Sequence, residues 1–266
     1  MKSKQLTLSA IVALAVLLPQ SKADVILGSA DSFTALGGST VTSTGNTILN
    51  GDLGVSPGTA ITGFAFSLTP GPGIVNGTTS VGGSAVTAQA DVLTAYNILA
   101  GETPNQNLTG QDLGGFTLLP GVYHFDSSAQ LTGMLTLDAN NNPNARFDFL
   151  IGSTLTTAST ASVLLINDAQ AGNVFWQVGS SATLGTGTSF FGSILADQSI
   201  TLNTGTSVSG RALAMNGAVT LDDNVLTIPT AVPEPAAFWL FALGAAVFGG
   251  WPQLAAWRRN VVVRCK

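Results

Sequence analysis

The sequence predicts a mainly β fold, a solenoid of triangular section with about 18 residues per coil and one long helix packed alongside. A repeated segment, short strands separated by turn residues and one stretch of helical spacing support this prediction. Residues 182–190 and 200–208 are offset by 18, and six of their nine aligned residues are identical. A fixed short period of this kind indicates coils stacked upon one another.

The same offset aligns apolar residues that we expect inside the solenoid, among them Trp176, Ile194 and Ala212. Each coil holds three short alternating segments separated by Gly, Asn or Asp, which predicts three strands joined by tight corners. The match continues at 218–221 only with one extra residue, which indicates a bulge or corner adjustment. At the start of the domain, Val41 is predicted to point inward while Thr40 and Thr42 point outward.

One stretch, 84–100, has apolar residues at helical spacing and predicts an amphipathic helix along one face of the solenoid. Ser84 is the expected N-cap, and Gly101 is the expected end. The apolar stripe consists of Ala85, Ala88, Val92, Ala95, Tyr96 and Leu99.

Both ends of the chain are predicted to be processing segments. Lys2 and Lys4 precede an apolar run at 6–18, and Ala23 follows as a small residue, so 1–23 is predicted to be a signal peptide cut by signal peptidase. The segment that remains to fold, 24–231, suits a single domain.

After this domain comes a three-part tail, 232–266: a Pro-Glu-Pro turn, a hydrophobic span at 236–257 and a basic end. The motif residues are Val232, Pro233, Glu234, Pro235, Arg258 and Arg259. The tail resembles a PEP-CTERM sorting signal. The resemblance implies secretion across the inner membrane, transient membrane insertion of the tail, removal by an exosortase near Glu234, and delivery to the cell surface or extracellular matrix of a Gram-negative bacterium.

The composition of 24–231 excludes several function classes. Thirteen carboxylates face only two cations, Arg146 and Arg211, so we expect no nucleic-acid partner. With the single cysteine at Cys265 and one histidine, His124, the domain offers no catalytic cluster, and we expect no enzyme activity, no cofactor and no metal. Asp222 and its neighbour 223 are expected to cap a turn, and Arg146 is expected to pair with residue 148 at the surface.

Several ordered stretches of the domain resemble the microbial ice-binding family. They are 35–42, 51–58, Asp91 with Ala95 and Tyr96, 121–123, 147–152, 173–179, 191–196, 210–214 and 219–222. The resemblance implies a right-handed β-helix of triangular section with a helix alongside, and a non-enzymatic protein that adsorbs to ice.

Small hydroxyl side chains on one flat solenoid face form a regular lattice that ordered water can match. The residues expected on this face are Thr40, Thr42, Ser181, Thr183, Ser199, Thr201, Ala218 and Thr220. Because this set mixes Ser, Ala and Thr, a second function stays open: a structural or adhesive matrix protein that binds exopolysaccharide through the same face, without ice activity.

Overall fold

The computed structural model of the protein describes residues 27–67 and 69–229. The residues up to Pro229 belong to one compact unit. The predicted signal peptide and sorting tail lie outside the described residues. In the described part of the chain, no helix is long and apolar enough to cross a membrane.

The described residues form 22 strands, one α-helix and two short 3-10 helices. In chain order the first strands are β1 (Phe33–Gly37), β2 (Thr40–Thr44), β3 (Ile48–Asn50), β4 (Asp52–Val55), β5 (Ala60–Thr62), β6 (Ile74–Val75) and β7 (Thr79–Val81). The helix α1 (Ser84–Ala100) follows. The remaining strands are β8 (Gln106–Asn107), β9 (Thr117–Leu118), β10 (Gly121–Phe125), β11 (Ala129–Leu131), β12 (Met134–Asp138), β13 (Phe147–Ile151), β14 (Leu155–Thr157), β15 (Ser162–Ile166), β16 (Val174–Val178), β17 (Ala182–Leu184), β18 (Ser189–Ala196), β19 (Ile200–Leu202), β20 (Ser207–Ala214), β21 (Val219–Asp222) and β22 (Val225–Thr227). The 3-10 helices are Gly28–Ser32 and Ala171–Asn173.

The strands pair in parallel and form three stacks. The small sheet has the order β11-β14-β17-β19-β21-β2-β5. The large sheet has two branches that share β18 and β20. The helix branch, which α1 covers, runs β7-β4-β1-β20-β18-β16-β13-β10-β8, and the open branch runs β6-β3-β22-β20-β18-β15-β12-β9. The chain visits the helix branch, the small sheet and the open branch in turn, and we call one such passage a coil.

The coils differ in length. Paired residues are 18 apart between Ala182 and Ile200, and 19 apart between Ile200 and Val219, which contains the extra residue that the sequence predicts. They are 26 apart between Ala129 and Leu155, and 27 apart between Leu155 and Ala182. A spacing of about 18 residues therefore describes only some of the coils, because the others carry longer corners.

The first coil does not lie at the end of the stack. Its strands β1, β2 and β3 pair with β20, β21 and β22 of the last coil, and we call this junction the seam. Across the seam, Leu36 pairs with Leu213 and Leu49 with Leu226. From β7 at one end of the helix branch, α1 carries the chain towards β8 at the other end, since 17 helical residues span about 25 Å.

The inner core contains a column of aromatic rings contributed by successive coils. Trp176 stacks on Phe149 with ring centroids 3.8 Å apart and tilts against Phe190 at 4.9 Å. Its indole N–H donates to the carbonyl of Phe191 at 3.0 Å, so the one polar atom of this buried ring is paired.

A second core lies between α1 and the helix branch. The buried residues of α1 are Ala85, Ala88, Val92, Ala95 and Leu99. They pack on outward side chains of the branch, among them Leu36, Leu195 and Leu213. The helix covers the predicted range, but Tyr96 is only partly buried, and the N-cap is Gly83 rather than Ser84. Gly83 has a φ of 49°, a conformation that favours glycine.

The predicted pair of Arg146 and Asp148 forms, with the Nε atom of Arg146 2.8 Å from a carboxylate oxygen. It does not lie at the surface as expected, because Asp148 is fully buried. Arg146 also pairs with Glu102, which follows the end of α1. A buried charge needs such partners, so this cluster ties the end of the helix to the branch beneath it.

Candidate functional site

The outward side of the small sheet carries one central column of small polar side chains. From one end to the other, paired strands place Gln130, Thr156, Thr183, Thr201, Thr220, Thr42 and Thr62 next to one another. None of the seven is buried. The column is continuous across the seam, where Thr220 of the last coil pairs with Thr42 of the first.

A flanking column lies two residues earlier on each strand, on the same side of the sheet because side chains alternate. By the same registers it contains Ser128, Thr154, Ser181, Ser199, Ala218, Thr40 and Ala60. These seven residues are likewise not buried.

The residues between the two columns point inward and hold the surface flat. Examples are Ala182, Ile200, Val219 and Val41, all buried at 1 % exposure or less. Neighbouring strands are about 4.8 Å apart and alternate residues about 6.7 Å apart along a strand, so seven strands give a surface about 29 Å long. We call this surface of two columns the hydroxyl face.

The two columns differ in their hydrogen bonding. In the flanking column, Ser199 Oγ accepts the backbone N–H of Ala218 at 3.2 Å, and Ser181 Oγ accepts that of Ser199 at 3.3 Å. Thr154 donates to Ser128 at 2.8 Å. Among the described residues, none of the six threonine hydroxyls in the central column has a protein hydrogen-bond partner. Those hydroxyls are therefore available to water along the whole column.

All eight residues that the sequence placed on this face lie in the two columns. The structure adds six that sequence reasoning missed: Ser128, Gln130, Thr154, Thr156, Ala60 and Thr62. The missed residues lie in coils of other lengths, so the 18-residue offset could not find them. A search for a hydroxyl residue on both sides of one buried aliphatic residue would have found Thr154 and Thr156 around Leu155.

The aspartates at the end of β21 cross-link neighbouring coils. The carboxylate of Asp222 accepts hydrogen bonds from Thr204 on one side and from Thr44 on the other, the latter at 2.8 Å. These two hydroxyls lower the pKa of Asp222, with Thr204 as the larger cause. Asp223 accepts the backbone N–H of Asn46. Within the described residues no group of three or more His, Cys, Asp or Glu could hold a metal ion.

His124 lies at the far end of the stack from the seam. Its Nε2 atom is 2.9 Å from a carboxylate oxygen of Asp126. Asp126 also accepts hydrogen bonds from Asn107 and Thr109, each at 3.1 Å, so it joins β8, the following turn and β10. Hydrogen bonds from Asn107, His124 and Thr109 lower the pKa of Asp126. The contacts that His124 makes are those of a structural link between coils.

Comparison with known proteins gives two family matches. Residues 35–227 match the family described as ice-binding-like, and residues 231–259 match the PEP-CTERM protein-sorting motif. A protein of Nostoc sp. (strain HG1) named ice-binding protein is 54% identical over 238 residues, which cover 85% of this chain and 86% of the Nostoc protein.

Solved structures show the same fold. An ice binding protein from an Antarctic biological consortium has a TM-score of 0.75 and 43% identity, with 84% of this chain and 97% of that chain covered. An ice-binding protein from the Antarctic ascomycete Antarctomyces psychrotrophicus has a TM-score of 0.73 and 38% identity, with 77% and 98% covered. From the sequence match over most of its length and these shared folds, the chain belongs to the ice-binding-like family, and it carries a C-terminal PEP-CTERM sorting motif.

Proposed function

We propose that the protein adsorbs to ice through the hydroxyl face. The observation that carries this proposal is the central column, in which six threonine hydroxyls on six neighbouring strands have no partner among the described residues. The names of its relatives point to the same activity.

The chemistry of threonine suits this task. Each hydroxyl anchors a water molecule, and each methyl group favours a cage of ordered water around it. Because threonine is β-branched, its side chain has few rotamers and loses little entropy when it becomes fixed against a surface. The buried residues between the columns hold this array rigid before ice arrives, which lowers the cost of binding.

The finer architecture belongs to the same proposal. We infer a right-handed β-helix of triangular section, because three parallel stacks follow one another along the chain. The folded domain is taken as 24–231, between a signal peptide and a tail that an exosortase removes. We place the mature protein on the cell surface or in the extracellular matrix of a Gram-negative bacterium, with exopolysaccharide as a further partner, and we assign it no enzyme activity.

The test is an ice-affinity measurement on purified 24–231, combined with observation of ice-crystal shape. The domain should concentrate in slowly grown ice and shape the crystals. Thr201→Tyr and Thr220→Tyr each raise a bulky ring above the two columns, so each should reduce the fraction of protein captured by ice at least tenfold. All three proteins should give the circular dichroism spectrum of the folded domain.

The matched control is Ser207→Tyr, which places the same ring on an exposed position of the open branch. It should leave capture unchanged. Equal losses in all three variants would show that the hydroxyl face has no special role. If the unaltered domain does not enter ice, the matrix function without ice activity replaces this proposal.

A further inference from the structure

The described chain leaves the domain at one particular corner. Ile228 donates its backbone N–H to the carbonyl of Asn50 at 3.4 Å and packs beside Gly51. Gly51 forms the corner between β3 of the open branch and β4 of the helix branch. Pro229 lies beside Gly172, in the 3-10 helix that precedes β16 of the helix branch.

The exit therefore lies where the two branches of the large sheet meet. Each coil has three corners, and the small sheet borders the other two, at the turns before and after its strand. The exit corner is the one that the hydroxyl face does not share. The start of the described chain is also away from this face, because Ser29 donates to Asp91 of α1 at 2.6 Å on the covered helix branch.

The connection to the sorting motif is short. Only Thr230 separates Pro229 from the matched motif, which begins at residue 231. The six residues 230–235 before the hydrophobic span reach at most about 21 Å even when fully extended. Removal of the tail near Glu234 would leave the same exit corner as the point through which the domain is held.

We propose that the protein binds ice while it is held through its C-terminus, so that it attaches the surface carrying it to ice. This proposal rests on the proposed ice-binding function and adds a second activity to it. An attachment at the exit corner leaves the hydroxyl face on the side away from the holding surface. The short connection favours this arrangement, because it gives the domain little length with which to turn that face back.

The sequence permits a direct test with oriented attachment. The domain 24–231 contains no cysteine, since Cys265 lies in the tail, and the unit that ends at Pro229 contains both hydrophobic cores. One version receives a single cysteine after Ala231, and a second version carries Thr201→Cys in the centre of the hydroxyl face. Both are coupled at equal density to maleimide-coated beads, and the fraction of beads captured by a slowly growing ice front is counted.

Beads held through the C-terminus should be captured at least tenfold more often than beads held through residue 201. Ice affinity of both proteins before coupling is the control, because Thr201→Cys is a small change that should retain binding in solution. Equal capture of the two kinds of bead would overturn the proposal. So would a domain that binds ice in solution but gives no capture when held through its C-terminus, and this result would leave the proposed function intact. If the free domain binds no ice, the proposed function fails and the tethering proposal fails with it.

Discussion

Arg211 is the side chain through which the last coil holds the segment before β1, so Arg211→Ala should weaken the seam. Its guanidinium is buried, and it donates from Nε and Nη2 to the backbone carbonyl of Asp31 at 2.9 and 2.7 Å. Nη2 also donates to the Asp31 carboxylate at 2.6 Å, and Nη1 donates to Ser193 Oγ at 3.3 Å. Burial lowers the pKa of Arg211, and the charge of Asp31 partly opposes this shift.

The size of the effect follows from which partners stay in water. Breaking a fully buried ion pair costs about 3–5 kcal/mol, because one charge is left buried alone. Here the Asp31 side chain is 71% exposed and returns to water. The loss is then mainly that of the hydrogen bonds to the Asp31 carbonyl and Ser193, about 2–3 kcal/mol in total. For a domain of this size that lowers Tm by about 4–12 °C.

The assay is guanidinium unfolding of 24–231 followed by circular dichroism, with Asp31→Asn as the matched variant. Asp31→Asn keeps the backbone carbonyl and removes only an exposed charge, so it should cost at most about 1 kcal/mol. Arg211→Ala should shift the unfolding midpoint with an unchanged denaturant slope. If both variants lose the same stability, the carboxylate rather than the backbone carbonyl is the main partner, and the reasoning above is wrong.

Three further predictions concern the face, the core and the acid dependence. Thr62→Tyr should reduce capture by ice less than Thr201→Tyr, because Thr62 lies on the end strand; equal losses would contradict a face that binds as a whole. Trp176→Phe should lower the free energy of unfolding by about 1–3 kcal/mol, measured in denaturant, because the carbonyl of Phe191 loses its donor. Hydrogen bonds from a serine hydroxyl and amide lower the pKa of Asp91 below 3.8, so its contribution is present above about pH 4 and lost as the pH falls further. Asp91→Asn should therefore be less stable at neutral pH and show a shallower acid dependence in unfolding experiments between about pH 4 and pH 2; an unchanged slope would exclude this contribution.

The sequence predicts best where coils follow one another without insertions. Thr183 and Thr201 pair directly, so an 18-residue offset in the chain is also one step in the stack. The helix is predicted for a similar reason, since the spacing of Ala85, Ala88 and Val92 reports its buried side without reference to any distant residue. In both cases a local pattern contains the structural information.

Other features depend on contacts that no local pattern contains. Thr156 lies 27 residues before its partner Thr183, and the longer corner between them hides the repeat. The neighbours Thr42 and Thr220 come from opposite ends of the domain, and only the topology brings them together. Similarly, Asp148 was expected at the surface, because the sequence does not show that the end of α1 buries it.

The seam also constrains the order in which the protein can fold. Asn50 and Thr227 are hydrogen-bonded neighbours although 177 residues separate them. The ribosome delivers β1 to β3 first, and they wait with one unpaired edge until β20 to β22 have been made. Such a high contact order makes folding slow and keeps the early strands without a partner until synthesis is almost complete. A chain of this design stays open to secretion through a narrow channel until its last coil arrives, and we expect any truncation before Val225 to leave the first coil without its template.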